Sequence, residues 1–256
     1  MPRTPKNDAV HVEELRFRSL PSGAGDEPKL ILAGTIFLPA GADHRDPALP
    51  GLVVGHGAGS NRRRHEVFCR TACGQGMVVI ALDMRGHGES GGEADGPLHQ
   101  DIVAAADLLR SHPLVDAGRI GYRGSSMGAY YGLRATLNSR FAALALLCPA
   151  QADILLQALE NPPPPQEMES RGLDARFDVE KSRLYLEDRD IMEDAEGLNI
   201  PTLPAHARHD NVVPIDVTLE LAKRLSGDTE VIIYSVGEAT PPSRAIAACT
   251  CASPPG

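Results

Sequence analysis

The stretch "GYRGSSMGAYYG" (residues 121–132) brackets a serine between two glycines, directly after an apolar run. Gly124-x-Ser126-x-Gly128 at a strand-to-helix junction is a shape that lifts a hydroxyl above a sheet edge. Small residues at 124 and 128 let the helix pass close to neighbouring strands. The helix that follows points its free N–H groups at the hydroxyl and favours negative charge there. Alone, the pattern is only moderately specific, because a tight turn with a capping serine is spelled the same way.

The flanking sequence makes the junction credible. Short aliphatic or β-branched runs alternate with longer helical patterns, the signature of a mostly parallel sheet with crossover helices. The predicted strands are "VEELRFRS", "LILAGTIFL", "GLVVGH", "MVVIALD", "RIGYRG", "ALALLCP", "PTLPAH" and "VIIYS". A Pro/Gly-rich turn joins the first two, which suits an antiparallel hairpin. "HEVFCRTACGQG" reads as a helix closed by glycine. "LHQDIVAAADLLRSH" carries Ile102, Ala105, Ala106 and Leu109 on one helical face and stops before Pro113.

Two further strand ends carry chemistry. "VVGHGAGSN" puts His56-Gly57-Ala58-Gly59 after an apolar strand, where flexible backbone can aim an N–H at a developing oxyanion. The N–H groups of Ala58 and Met127 are the candidate oxyanion hole. His56 reads as a brace for this loop. "ALDMRGHGESGG" ends the next strand with Asp83, Arg85 and His87 in a turn-rich loop, and His87 reads as structural.

The ordered set "HGAG", "DMRGHGES" and "GSSMG" resembles the α/β-hydrolase superfamily, in particular its small bacterial esterase and dienelactone-hydrolase-like branches, from about residue 10 to residue 235. The resemblance implies an α/β fold: a sheet of about eight strands with the second antiparallel, flanked by helices, and a small lid between strands six and seven. It implies hydrolysis of a small-molecule carboxylic ester through an acyl-enzyme, without cofactor or metal; thioesterase or peptidase chemistry is the alternative within the fold. Ser126 matches the nucleophile, and Asp210, in "PTLPAHARHDNVVP", takes the place of the triad carboxylate. Asp153, after the sixth strand, is the second choice. Two departures mark that segment: Pro204 removes a ladder N–H, and Ala207 replaces a usual glycine, a substitution expected to strain the turn.

The resemblance also expects a histidine just past "VIIYS". The sequence reads "SVGEATPP" there, and all nine histidines lie at or before position 209. Three explanations compete. The C-terminus is altered, for instance by a frameshift in a GC-rich gene, consistent with 21 arginines against four lysines. Alternatively His209 stands in as base, although a neighbour of Asp210 is poorly placed for an aligned relay. Or the protein is a binding module that keeps the pocket without turnover. The domain reading is one hydrolase domain over 1–235, with the lid insertion at about 150–200. Residues 236–256, rich in proline and without periodicity, are an irregular, non-native or disordered tail.

Composition bounds the rest. At 256 residues one domain with a substantial core is expected. A formal charge of −9 argues against nucleic acid or an anionic membrane as partner. Residues 166–196 hold eleven acidic against five basic side chains, read as a solvated face. The triplet Arg62–Arg64 reads as a solvated helix start. Five cysteines show no disulfide framework, and no apolar leader or span is visible, so a cytoplasmic protein is expected. Cys69 and Cys73 read as buried small apolar residues and not as metal ligands.

Overall fold

The computed structural model describes residues 10–20, 30–43, 48–170 and 172–235. The tail assigned to 236–256 lies outside the described residues. Eight strands form one open sheet in the order β1-β2-β4-β3-β5-β6-β7-β8. They are β1 (Val10–Arg18), β2 (Ile31–Pro39), β3 (Leu49–Gly55), β4 (Val78–Leu82), β5 (Val115–Ser125), β6 (Ala143–Leu147), β7 (Thr202–Ala207) and β8 (Ile232–Tyr234). β2 runs antiparallel to both β1 and β4, and the pairs from β4 to β8 are parallel. All eight predicted strands are present, with the N-terminal hairpin expected of them.

Helices cover both faces, as a parallel sheet requires. α1 (Glu66–Cys73) packs with Cys69, Ala72 and Cys73 against Phe37, Leu52 and Val79. Both cysteines are fully buried, and burial pushes their thiols up to about 12, so they behave as small apolar residues. On the opposite face lie α2 (His99–Arg110) and α3 (Met127–Ala135). The predicted apolar face of α2 (Ile102, Ala105, Ala106 and Leu109) is 0% exposed. Between β6 and β7 stand α4 (Ala152–Glu160), α5 (Pro165–Ser170), α6 (Val179–Leu186) and α7 (Ile191–Ala195), and α8 (Ile215–Arg224) follows β7. No helix among the described residues is long and apolar enough to cross a membrane.

Two buried ion pairs tie the loops at the strand ends. Arg85 is 1% exposed and its guanidinium grips the 0%-exposed carboxylate of Asp101, which also accepts the Arg85 N–H and the Ser19 hydroxyl. Arg62 corrects its expectation. It is 2% exposed, not solvated, because its guanidinium bonds buried Asp83 and reaches Glu14 and the Thr35 hydroxyl. Arg63 and Arg64 do face solvent.

Pro204 has the predicted effect on pairing. Residues 202 and 204 direct their backbone polar groups toward β8, as the Thr202 bonds with Asp228 and Glu230 show. Pro204 has no N–H to offer there. The β7–β8 ladder consequently runs only from Ala205–Ile232 to Ala207–Tyr234, after an isolated Thr202–Thr229 bridge.

Candidate active site

β5 ends on a sharp elbow. Ser126 has φ 51° and ψ −116°, a region that L-residues avoid and that costs roughly 1–3 kcal/mol when held. Its side chain makes no capping bond to α3, and the residue is part-exposed, which removes the capping-turn reading of the motif. The elbow is pinned by Ser126 N–H to Leu147 C=O at 2.8 Å. Both flanking glycines are obligatory. A Cβ on Gly124 would overlap the Gly128 carbonyl, and one on Gly128 would lie 2.6 Å from the His56 carbonyl oxygen.

The glycine loop after β3 stands against this elbow. A Cβ built on Gly57 would meet Cβ of Ser126 at 3.4 Å, so Gly57 borders Ser126. His56 fixes this loop from beneath: its Nε2 accepts the Met84 N–H at 3.0 Å, and its Nδ1 donates to the Gly57 carbonyl at 2.8 Å. Burial pushes His56 down to about 4, against a smaller opposing pull from the Gly57 carbonyl. His87 lies 4.9 Å from the His56 ring and edge-on to Phe177. Its Nδ1 bonds the Arg85 carbonyl, and burial holds it down at about 3. Burial thus favours the neutral form of both imidazoles.

Two strands along, Asp210 follows β7. Its Oδ1 accepts the N–H groups of Val212 and Val213 at 2.8 and 2.9 Å. Burial opposes its charge, yet these two N–H groups and the nearby Cys148 thiol outweigh it and hold the carboxyl below the usual range. Between the two ends sits Cys148, with Cys148 N–H on the Ala205 carbonyl, so the ends of β5, β6 and β7 stand side by side. Two strand spacings are about 10 Å.

Residues 52–250 match the family model described as alpha/beta hydrolase family. The chain belongs to that family. Among curated proteins it resembles the uncharacterized protein YcjY of Escherichia coli (strain K12), 31% identical over 121 residues, covering 45% of this chain and 39% of YcjY. The chain spans between 39% and 64% of the length of the curated relatives it matches. Among solved structures it is similar to hypothetical protein PA2218 from Pseudomonas aeruginosa, with TM-score 0.77, 16% identity and coverage of 97% and 96% of the two chains. It is also similar to Est1E from Butyrivibrio proteoclasticus, solved with ferulic acid bound, with TM-score 0.67, 18% identity and coverage of 86% and 93%.

Within this alpha/beta hydrolase the remaining sequence candidates separate. His209 is exposed and makes no hydrogen bond to Asp210. Asp153 is exposed at the start of α4 and bonds the N–H of its neighbour Ile154. Ala207 keeps an ordinary negative φ, so the strain expected from the missing glycine is absent. The backbone strain falls instead on Cys148, with φ 44°, which the sequence reading passed over. Nothing in the run "ALALLCP" announces a left-handed cysteine. A cavity of about 600 Å³ opens between α4 and the α6–α7 segment, lined by Gln151, Asp153, Leu156, Glu187 and Arg189 among others. Ser126, Ala58, Met127 and Asp210 do not line it.

Two buried histidines of this chain set a pH dependence. In the unfolded chain a histidine takes its proton near 6.5, whereas folded His56 and His87 wait until about 4 and about 3. The unfolded state therefore binds more protons across that window, and stability falls as pH drops below 6.5. Each histidine contributes roughly 1.4 kcal/mol per pH unit. Urea unfolding from pH 7 to 5 should show this loss, and His87→Phe should make it shallower by one proton. An unchanged slope in the variant would refute the assignment.

Proposed function

We propose that the chain is a serine hydrolase acting on carboxylic esters. The Ser126 hydroxyl attacks the acyl carbon, and the N–H groups of Ala58 and Met127 receive the oxyanion. The alcohol departs, an acyl-serine remains, and water releases the acid. Asp210 holds the place of the carboxylate that orients a triad imidazole, which this sequence does not supply past position 209, so water carries the serine proton to the departing alkoxide. The observation that carries this reading is the strained, part-exposed, non-capping Ser126 beside a glycine loop braced by His56.

The sequence supplies no histidine beyond position 209, and this sets the expected rate. Losing a triad base costs on the order of 10⁶ in kcat. Oxyanion stabilisation and binding leave roughly 10³- to 10⁴-fold acceleration over water. Slow turnover of p-nitrophenyl acetate is expected, falling to the uncatalysed rate in Ser126→Ala. A fluorophosphonate probe should label the parent chain and leave Ser126→Ala unlabelled. Equal rates and equal labelling in both would favour the second reading, a binding protein on a hydrolase scaffold, which the missing base supports. A partner histidine introduced past β8 should raise the rate in a Ser126-dependent way. The insertion between β6 and β7 is the proposed lid that selects acyl and alcohol groups.

A further inference from the structure

One side-chain cluster at the strand ends sets two residues with no part in the acyl chemistry, Cys148 and His206, beside Asp210. The Cys148 sulfur, a His206 ring nitrogen and an Asp210 carboxylate oxygen lie within 4.8 Å of one another. They come from three places, the end of β6, the interior of β7 and the loop after β7. The Tyr234 hydroxyl, from β8, stands 3.8 Å from the sulfur. We propose that this cluster is a binding site for a thiophilic divalent cation of the zinc type.

The donor set decides the class of cation. Thiolate, imidazole and carboxylate together suit zinc or cobalt, whereas magnesium and calcium take oxygen donors. Bonds of about 2.0–2.3 Å put tetrahedral donors about 3.3–3.8 Å apart, so the cluster closes with a shift of about 1 Å. The sulfur is already aimed inward. It accepts the Ala207 N–H at 3.5 Å, and the left-handed Cys148 backbone places it over β7. Oδ1 of Asp210 is held by two backbone N–H groups, an outer support of the kind metal-bound carboxylates have.

His206 requires one rearrangement. Its Nδ1 lies 2.6 Å from the Thr218 hydroxyl and its Nε2 3.0 Å from the Val213 carbonyl. The Val213 bond opens, the Nε2 proton passes by way of solvent to Nδ1, and Nδ1–H then donates to the Thr218 hydroxyl, which fixes the ring and leaves Nε2 free to bind. Val213 belongs to the same loop as Asp210, so one loop movement frees the nitrogen and closes the donors. On binding, the S–H bond of Cys148 breaks, a sulfur–metal bond forms and the proton leaves to solvent. No electron is transferred. The fourth position falls to water or to the Tyr234 oxygen. Because the cation takes Asp210, its occupancy and any triad use of that carboxylate exclude each other.

Cobalt tests the site by its colour and independently of ester hydrolysis. The full chain, reduced and stripped with EDTA, is titrated anaerobically with Co²⁺. One equivalent should produce a thiolate-to-cobalt charge-transfer band in the near ultraviolet with visible bands of a four-coordinate ion, and Zn²⁺ should bleach both. Cys148→Ser should abolish the charge-transfer band, and Asp210→Asn should weaken Co²⁺ binding at least about tenfold. Circular dichroism of the metal-free variants checks that each is folded. Absence of the band in the parent chain overturns the proposal. So does a band that survives Cys148→Ser, since it would belong to other cysteines such as Cys249 and Cys251.

Discussion

Asp101→Ala should lower the unfolding free energy by about 3–5 kcal/mol, because it leaves the Arg85 guanidinium buried without its main counter-charge. Arg85 is 1% exposed, and Asp95, a further acidic partner, is part-exposed and contacts it at 3.2 Å. The loss also strips an acceptor from the Arg85 N–H and from Ser19. Replacing both partners, as Arg85→Met with Asp101→Leu, should cost less than the single change, since no charge is then stranded. Urea denaturation of the three chains measures this. A double variant as unstable as Asp101→Ala would show that packing, not charge, holds the loop.

Gly128→Ala is the second large effect, and it is directed at the elbow. The new Cβ would sit 2.6 Å from the His56 carbonyl oxygen and 3.0 Å from Gly55 backbone atoms. Both obstacles are backbone, so α3 must lift away from β3. The stability loss should be about 1–3 kcal/mol. The greater change should be in chemistry, because lifting α3 moves the Met127 N–H and the Ser126 hydroxyl off the glycine loop together. Fluorophosphonate labelling of Ser126 should disappear in Gly128→Ala while the chain remains folded by circular dichroism. Retained labelling at the parent rate would mean that the close approach of helix and strand has no part in the chemistry.

What the sequence disclosed follows from range. Strand positions and the buried face of α2 are written in local periodicity, so "LILAGTIFL" and Ile102, Ala105, Ala106 and Leu109 could be read directly. The elbow was legible because Gly124 and Gly128 are spelled within five residues of each other. Arg62 was misread because its burial depends on Asp83, twenty-one positions away, and on Glu14 from a different strand. An arginine triplet looks solvated until its counter-ion is located in space. Cys148 was missed for a related reason. Its sulfur meets the Ala207 N–H and the Tyr234 hydroxyl, fifty-nine and eighty-six positions away, and no local pattern encodes that meeting. Ala207 erred the other way: a comparison with a usual glycine suggested strain, and the turn took an ordinary conformation.

The proline in β7 has a consequence for how catalysis could be inherited or lost. Ser126 and the glycine loop rest on strands hydrogen-bonded on both sides in the middle of the sheet. Any group delivered from beyond Tyr234 is anchored through a ladder of three residue pairs at the rim. The machinery is thus divided between a deeply moored half and a lightly tethered one. On the proposed reading, alterations after β8 would remove the proton acceptor while leaving the elbow, the glycine loop and the fold that presents them in place.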